Sequence, residues 1–185
     1  LSDKFGINVY LIGGIVRDLI LNNPVKDIDI SVEHDAIKFA EIMEENSDCK
    51  IVSVQENLKT AKVQFENGIE IDFASTREEK YENRGFLPSA YNFCCSLEKD
   101  VKRRDFTINT LAVCLSGNRK YEPVDFLNGL NDILNKKIRI IHDKSFEDDP
   151  SRIVRALKFS KRFGFNIEEN TFRLMQKYLT NPDKN

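Results

Sequence analysis

The stretch from Val9 to Ser31, VYLIGGIVRDLILNNPVKDIDIS, constrains this chain more than any other. It reads as a short strand (Val9 to Ile12), a tight Gly13-Gly14 turn, a helical turn or two carrying Arg17 and Asp18, and a break at Asn22-Asn23-Pro24. A second strand then displays Asp27, Asp29 and Ser31 on one face and Ile28, Ile30 and Val32 on the other, as a two-residue period requires. The two carboxylates therefore lie side by side, roughly 6 to 7 Å apart. Acids this close repel each other unless a cation sits between them, and hard Mg²⁺ takes oxygen ligands of this kind.

The turn supplies the complement. Paired glycines let the backbone approach a bulky anion, and the helix N-terminus behind them points free N–H groups at it. Arg17 adds a positive fork for phosphate oxygens. Alone, a Gly-Gly turn is usually only a turn, and an Asp-x-Asp on an exposed strand is usually solvated surface. A phosphate cradle about ten residues upstream of an acid pair favours metal-assisted nucleotidyl transfer.

GGIVRD followed by KDIDIS resembles the signature of the polymerase-beta-like nucleotidyltransferases, in particular the bacterial (class II) tRNA nucleotidyltransferase and poly(A) polymerase family. RRDFTIN at Arg103 to Asn109 and DDPSRIVRA at Asp148 to Ala156 follow in family order, so the resemblance covers almost the whole chain. It implies an α+β fold: a nucleotidyltransferase head with a mixed, mainly antiparallel sheet of about five strands, then the start of an all-helical neck. We place the catalytic head at residues 1–143 and the neck at 144–185. In the family resembled, much of the RNA grip comes from helical body and tail domains, which are expected to begin where this chain ends at Asn185.

Composition is compatible with that reading. The 185 residues, 41% hydrophobic and 31% charged, suit an ordinary globular protein with one good core and the start of a second unit. No apolar run approaches the roughly 20 residues needed to span a membrane, and no signal peptide is visible. A first residue of Leu1 rather than Met leads us to expect trimming at the front. Cys49, Cys94, Cys95 and Cys114 lack metal-ligand spacing, so a reduced, cytoplasmic setting is expected. With only His34 and His142 available, no zinc site is expected. A net charge of −2 supplies no global basic footprint for RNA, which counts mildly against an RNA enzyme.

Further along, His34 to Asn46 has helical apolar spacing with Asp35 as N-cap. Thr60 to Glu66 and Ile69 to Phe73 alternate on either side of Asn67-Gly68, an antiparallel hairpin. Asp72 lies on the polar face of its second strand. Two-metal transferases commonly hold a second ion with a third carboxylate on a neighbouring strand; the alternative is that Asp72, like Glu70, simply faces water. The IDFAxxR context of the family resembled implies the ligand role. From Thr76 to Phe93 periodicity disappears, and Arg77, Lys80, Arg84, Gly85, Pro88 and Asn92 read as a mobile loop. Such a loop helps admit the nucleotide in that family.

Ser96 to Leu115 reads as a helix, a turn at Arg104-Asp105 and an apolar segment. Lys102-Arg103-Arg104 suits a solvated helix face or a phosphate contact. The resemblance implies that Arg104 touches the triphosphate, while Asp105 and Asn109 hold the ribose or order the site. Tyr121 to Asp125 and Lys137 to Ile141 read as strands flanking a short helix at Leu127 to Leu134, with Asp125, Gly129 and Asp132 as scaffold or hinge.

Phe146 to Phe165 is the second informative stretch. Pro150 suits a first helical turn, and Asp148 and Asp149 suit helix capping. Asp149, Arg152, Arg155 and Lys158 recur every third position and drift slowly round one side of the helix. Cytosine and adenine each present an amino donor beside a ring-nitrogen acceptor, so Asp149 can accept and Arg152 can donate. Guanine and uracil present the reverse order and leave buried polar groups unpaired. Arg155 and Lys158 continue toward phosphate or the RNA end. Asp148 stands where many family members carry Glu, and Lys158 where many carry Arg. Glu168 to Leu179 reads as a further helix, ended by Asn181-Pro182.

The expected activity is in-line attack of an RNA 3′-hydroxyl on the α-phosphate of CTP or ATP, building all or part of a tRNA CCA end. The expected ligands of two Mg²⁺ ions about 4 Å apart are Asp27, Asp29 and Asp72. Gly13, Gly14, Arg17 and Arg104 are the expected phosphate contacts. A poly(A) polymerase is the alternative within this chemistry, and an inactive nucleotide-binding regulatory module the alternative outside it. The sequence specifies no oligomeric state.

Overall fold

Gly13, at φ 82° and ψ −126°, is where the fold turns from its central strand toward a helix. Glycine enters this backbone region without a Cβ penalty. In the computed structural model, which describes residues 1–82 and 87–180, a short helix α1 (Ser2–Phe5) precedes this strand, β1 (Val9–Ile12). Helix α2 (Gly14–Ile20), strand β2 (Asp29–Val32) and helix α3 (Ala36–Asn46) follow. Strands β3 (Cys49–Gln55), β4 (Thr60–Phe65) and β5 (Glu70–Ser75) form a meander, and β6 (Glu78–Lys80) pairs with β7 (Ser89–Tyr91). Next come α4 (Leu97–Asp100), 3₁₀ turns at Val101–Arg103 and Thr107–Asn109, β8 (Ala112–Cys114), β9 (Pro123–Val124) and α5 (Gly129–Leu134). The chain continues through β10 (Lys137–Ile138), α6 (Ser145–Asp148), α7 (Ser151–Phe163), β11 (Asn166–Ile167) and α8 (Glu169–Thr180).

The main sheet has the order β3-β4-β5-β2-β1-β8-β9. Every neighbouring pair is antiparallel except β2 and β5, so the sheet is mixed and mainly antiparallel, with seven strands rather than about five. Ile30 and Val32 of β2, Val63 of β4 and Phe73 of β5 share a core with Ile37, Phe39 and Ala40 of α3. Period-two alternation puts Asp29 and Asp72 on the opposite face. Asp35 caps α3 as expected, accepting from the backbone N–H groups of Ile37 and Lys38 at 3.0 and 3.3 Å. Phe39 meets Phe73 edge to face at 5.5 Å.

Two details differ from the sequence reading, and a third follows it. The Thr76–Phe93 region contains the β6–β7 ladder, with Glu78 opposite Tyr91, so its described part is not simply a loop; Arg84 and Gly85 lie outside the described residues, as does the helix end at Asn181-Pro182. Pro150 opens helix α7 as expected, and Asp149 before it is extended at φ −140° and ψ 95°. A residue before proline is pushed out of the helical region in this way. Lys137–Ile138 pairs in parallel with Asn166–Ile167, beyond α7, rather than joining the main sheet.

A second core, containing Phe106, Ile108 and Ile133, extends into Phe146, Ile153 and Ala156 of α6 and α7 and Met175 of α8. Phe159 of α7 stands edge-on to Phe106 at 5.8 Å. Helix α7 is thereby fixed against the Phe106–Leu111 segment, and a cleft opens between α7 and the acid-bearing end of β2.

Candidate active site

The cleft has a volume of about 680 Å³, within the range of roughly 300–1,000 Å³ typical of small-molecule sites. Asp29 comes from the sheet and Asp27 from the segment just before it, while Gly14 and Arg17 come from α2. Arg104, Asp105 and Asn109 come from the 3₁₀ region, and Asp149, Arg152 and Arg155 from the start of α7. The structure thus brings together ten of the residues expected from sequence, all but Gly13, Asp72 and Lys158.

Asp27 precedes β2, Asp29 opens it, and both are exposed. Burial, with crowding from Asp72 and Asp27, pushes Asp29 above its ordinary 3.8, against the pull of Arg104 and Lys62. Asp72 stands opposite Asp29 in the parallel β2–β5 register, but its carboxylate is paired with Lys62 of β4 at 3.2 Å. Among the described residues no three Asp, Glu, His or Cys gather into a group able to hold a metal. Two mutually repelling oxygen donors still suit Mg²⁺, which takes one or two carboxylates and completes its shell with phosphate oxygens and water.

Opposite the acids lies Arg104. Its Nη2 donates to Asp100 Oδ2 and its Nη1 to the Asn109 carbonyl, each at 3.4 Å, while its Nε is buried without a hydrogen-bond partner. The guanidinium lines the cleft on long hydrogen bonds, and a fork held that loosely can turn toward an anion. Gly13 acts from behind: a Cβ there would stand 2.9 Å from Arg104 Nη1. Asp100 is fully buried and accepts from the Arg77 N–H at 3.1 Å and Arg103 Nε at 2.9 Å as well. Burial works to raise its carboxyl, but Arg103, Arg104 and the Arg77 N–H outweigh it and hold the group below 3.8.

Asp105 has its acceptor positions filled. Oδ1 takes the Phe106 N–H at 2.8 Å and Asn109 Nδ2 at 2.9 Å, and Oδ2 takes Arg155 Nε at 2.8 Å and Nη2 at 2.5 Å. A carboxylate offers about four such positions, so here Asp105 orders Asn109 and Arg155 rather than reaching for a ribose. Arg17 is likewise committed: Nε and Nη2 bind Asp18 at 3.1 and 2.9 Å, and Nη1 donates to Asn109 Oδ1. Its guanidinium also lies over the Phe163 ring at 4.7 Å. Few of its N–H groups are left for phosphate.

Asp149 both caps α7, accepting from the Ser151 N–H at 2.9 Å, and lines the cleft. Arg152 is buried; Nη1 donates to Ser145 Oγ at 2.7 Å, and Nη2 to Tyr81 Oη and the Arg103 carbonyl at 3.0 Å. Its Nε lies 3.8 Å from Asp149 Oδ2. Lys158 is exposed and outside the cleft; the row continues instead through Phe159 and Arg162. At 100° per residue, position 158 has turned about 120° from Arg152, whereas 159 returns within about 20° of it.

Sequence reasoning missed Asp100, Tyr81, Phe159 and Arg162, and named Arg103 only as part of a basic run. Asp100, Arg103 and Arg104 were findable as an i, i+3, i+4 set of opposite charges. Tyr81 and Phe159 carry no local signal.

Fold and cleft are those of a polymerase-beta-like nucleotidyltransferase head. The chain belongs to the poly(A) polymerase head domain family, whose profile matches residues 9–139. It is 42% identical over 175 residues to an A-adding tRNA nucleotidyltransferase of Geobacter sulfurreducens, covering 95% of this chain and 20% of that protein. A solved CCA-adding enzyme, apo form II, superposes with a TM-score of 0.89 at 38% identity, covering 97% of this chain and 42% of the other. A CCA-adding enzyme in complex with ATP matches with a TM-score of 0.83 at 37% identity, covering 97% and 39%. The chain therefore spans a fifth to about two-fifths of the length of these relatives.

Proposed function

We propose that this chain is the catalytic portion of a template-independent RNA nucleotidyltransferase that transfers AMP, CMP or both from ATP and CTP to the 3′ end of tRNA. The observation that carries this reading is the acid pair Asp27 and Asp29 in one cleft with the half-buried Arg104, whose Nε has no hydrogen-bond partner. The names of the relatives supply the substrate class. In the reaction the RNA 3′ oxygen forms a bond to the α-phosphorus, the bond from that phosphorus to its β-bridging oxygen breaks, and pyrophosphate leaves. The hydroxyl proton passes to solvent.

Asp27 and Asp29 would hold Mg²⁺, with Asp72 as a third ligand once Lys62 releases it, and the ions would supply charge neutralisation at the attacking and leaving oxygens. Arg104 neutralises triphosphate charge, and Gly13 and Gly14 let the chain approach those phosphates closely. Asn109, oriented by Asp105 and Arg17, faces the sugar. Asp149 accepts from the amino group of cytosine or adenine, and Arg152 donates to the neighbouring ring nitrogen after exchanging one of its present acceptors. Residues 1–143 form the catalytic head and 144–185 the neck that presents this base-reading edge.

The test uses the full-length protein with tRNAs ending before C, CC and CCA, each offered one labelled nucleotide. We expect incorporation of A, C or both that stops at CCA. Long A tails would assign a poly(A) polymerase instead, and no incorporation would overturn the reading.

A further inference from the structure

Three neighbouring strands place a cation and two acids in one row. In the antiparallel β4–β5 pairing Lys62 stands opposite Asp72, and in the parallel β2–β5 pairing Asp72 stands opposite Asp29. Residues directly opposite share a face of the sheet, and adjacent strands lie about 4.8 Å apart. Ala61, Val63 and Phe73 are buried in the core, so the row lies on the other face, the one that carries Asp29 into the cleft. Asp72 is thus flanked by an acid on one side and an ammonium on the other.

That ammonium has two seats. Lys62 Nζ lies 3.2 Å from Asp72 Oδ2 and 3.3 Å from Glu70 Oε2. Glu70 stands two positions before Asp72 on the same face of β5, and its other oxygen accepts from Gln64 Nε2 at 3.2 Å. Lys62 can therefore leave Asp72 and remain paired, with no charge stranded. Among the described residues, Asp72 has Lys62 as its only ion-pair partner. A lysine suits such an exchange, being a compact charge on a flexible stem.

We propose that Lys62 is a positioning residue for the metal site, a latch that neutralises Asp72 and surrenders it by moving wholly onto Glu70. With Lys62 on Asp72, a divalent cation meets a weakened acid set with a positive charge beside it. With Lys62 on Glu70 alone, Asp72 is free to join Asp29. The triphosphate adds the negative charge that tips this balance toward a divalent cation, so Asp72 is released as the nucleotide binds. The latch rests on the metal-dependent nucleotidyltransferase reading above and adds to it what governs access to the third carboxylate.

The test measures Mn²⁺ binding to the full-length protein by electron paramagnetic resonance at low salt, with and without a non-transferable ATP analogue. Wild type is compared with Lys62→Met, Lys62→Arg, Glu70→Gln and the double variant Lys62→Met/Glu70→Gln. Without nucleotide, Lys62→Met should bind Mn²⁺ about three- to tenfold more tightly, as removal of one unit charge beside a part-exposed site allows. Lys62→Arg keeps the charge and should bind as wild type does. Glu70→Gln should weaken binding about threefold, yet change nothing in the Lys62→Met background, because Glu70 acts through the lysine. With the analogue bound, the advantage of Lys62→Met should shrink to within about twofold. An ordinary cross-strand pair would shift the thermal unfolding of these variants and leave their Mn²⁺ affinities alike. Equal Mn²⁺ affinity in wild type and Lys62→Met would overturn the latch, as would an equal effect of Glu70→Gln in both backgrounds. A wild type that binds Mn²⁺ but transfers nothing to tRNA would instead sink the proposed function, and the affinity comparison would still decide the role of Lys62.

Discussion

Asp100 and Arg104 meet at 3.4 Å, with the aspartate fully enclosed and the arginine reaching from it toward the acid pair. The proposed phosphate fork is thus anchored from inside the protein. Asp100→Ala removes the carboxylate facing Arg103 and Arg104, and breaking a buried pair of this kind costs about 3–5 kcal/mol. Asp100→Asn keeps the shape, so nucleotide KM should rise with a smaller loss of stability. The pH dependence has a definite sign. The folded carboxyl is held below its ordinary 3.8, so its stabilisation is fully present above that value and is lost as pH falls through the folded value. In urea unfolding, the gap between wild type and Asp100→Asn should be widest near neutrality and shrink below about pH 4.

Gly13→Ala should damage binding more than folding. The new methyl group would stand 2.9 Å from Arg104 Nη1 at a backbone φ of +82°. The side-chain tip can move away, leaving a strain of about 1–3 kcal/mol, but it then leaves the proposed phosphate seat. Calorimetric titration with ATP should show affinity reduced about tenfold or more, alongside a modest fall in melting temperature.

Gly129→Ala is expected to behave in the opposite way. A Cβ there would lie 2.3 Å from the Thr107 carbonyl oxygen and 3.0 Å from its carbon, and backbone cannot step aside as a side chain does. A stability loss of about 1–3 kcal/mol or more follows from such overpacking. Thermal unfolding measures it, and soluble variant should retain nucleotide affinity near that of wild type.

Tyr81→Phe removes one acceptor from Arg152 Nη2 and leaves the ring in place. The lost hydrogen bond costs about 0.5–1.5 kcal/mol. Because Arg152 is the proposed reader of the base edge, competition assays should show ATP and CTP favoured over GTP and UTP by a smaller ratio than in wild type.

Much of the fold and of the cleft was legible along the chain because the signals are local. Val9–Ile12, the Gly13-Gly14 turn and the Asn67-Gly68 hairpin declare themselves by period and turn chemistry, and Asp35 by capping. β3 was hidden because it is a sheet edge with Lys50, Val52, Ser53, Val54 and Gln55 exposed, so no buried alternation marks it. β6 and β7 are three residues each and acquire their register only from each other. A spacing of three points to Lys158, whereas the true helical period selects Phe159 and Arg162. Saturation of Asp105, the pairing of Asp72 with Lys62 and the grip of Arg152 on Tyr81 depend on which elements become neighbours, and no single stretch encodes them.

The acid pair is the centre of the account, and its most direct test is Mg²⁺-dependent pyrophosphate release by the full-length protein with ATP and a tRNA ending in CC. Wild type should release pyrophosphate in proportion to added Mg²⁺ until saturation. Asp27→Ala should release at least about a thousandfold less, with an unchanged unfolding transition. Release by Asp27→Ala at the wild-type rate would contradict the assignment of this cleft as the site of transfer.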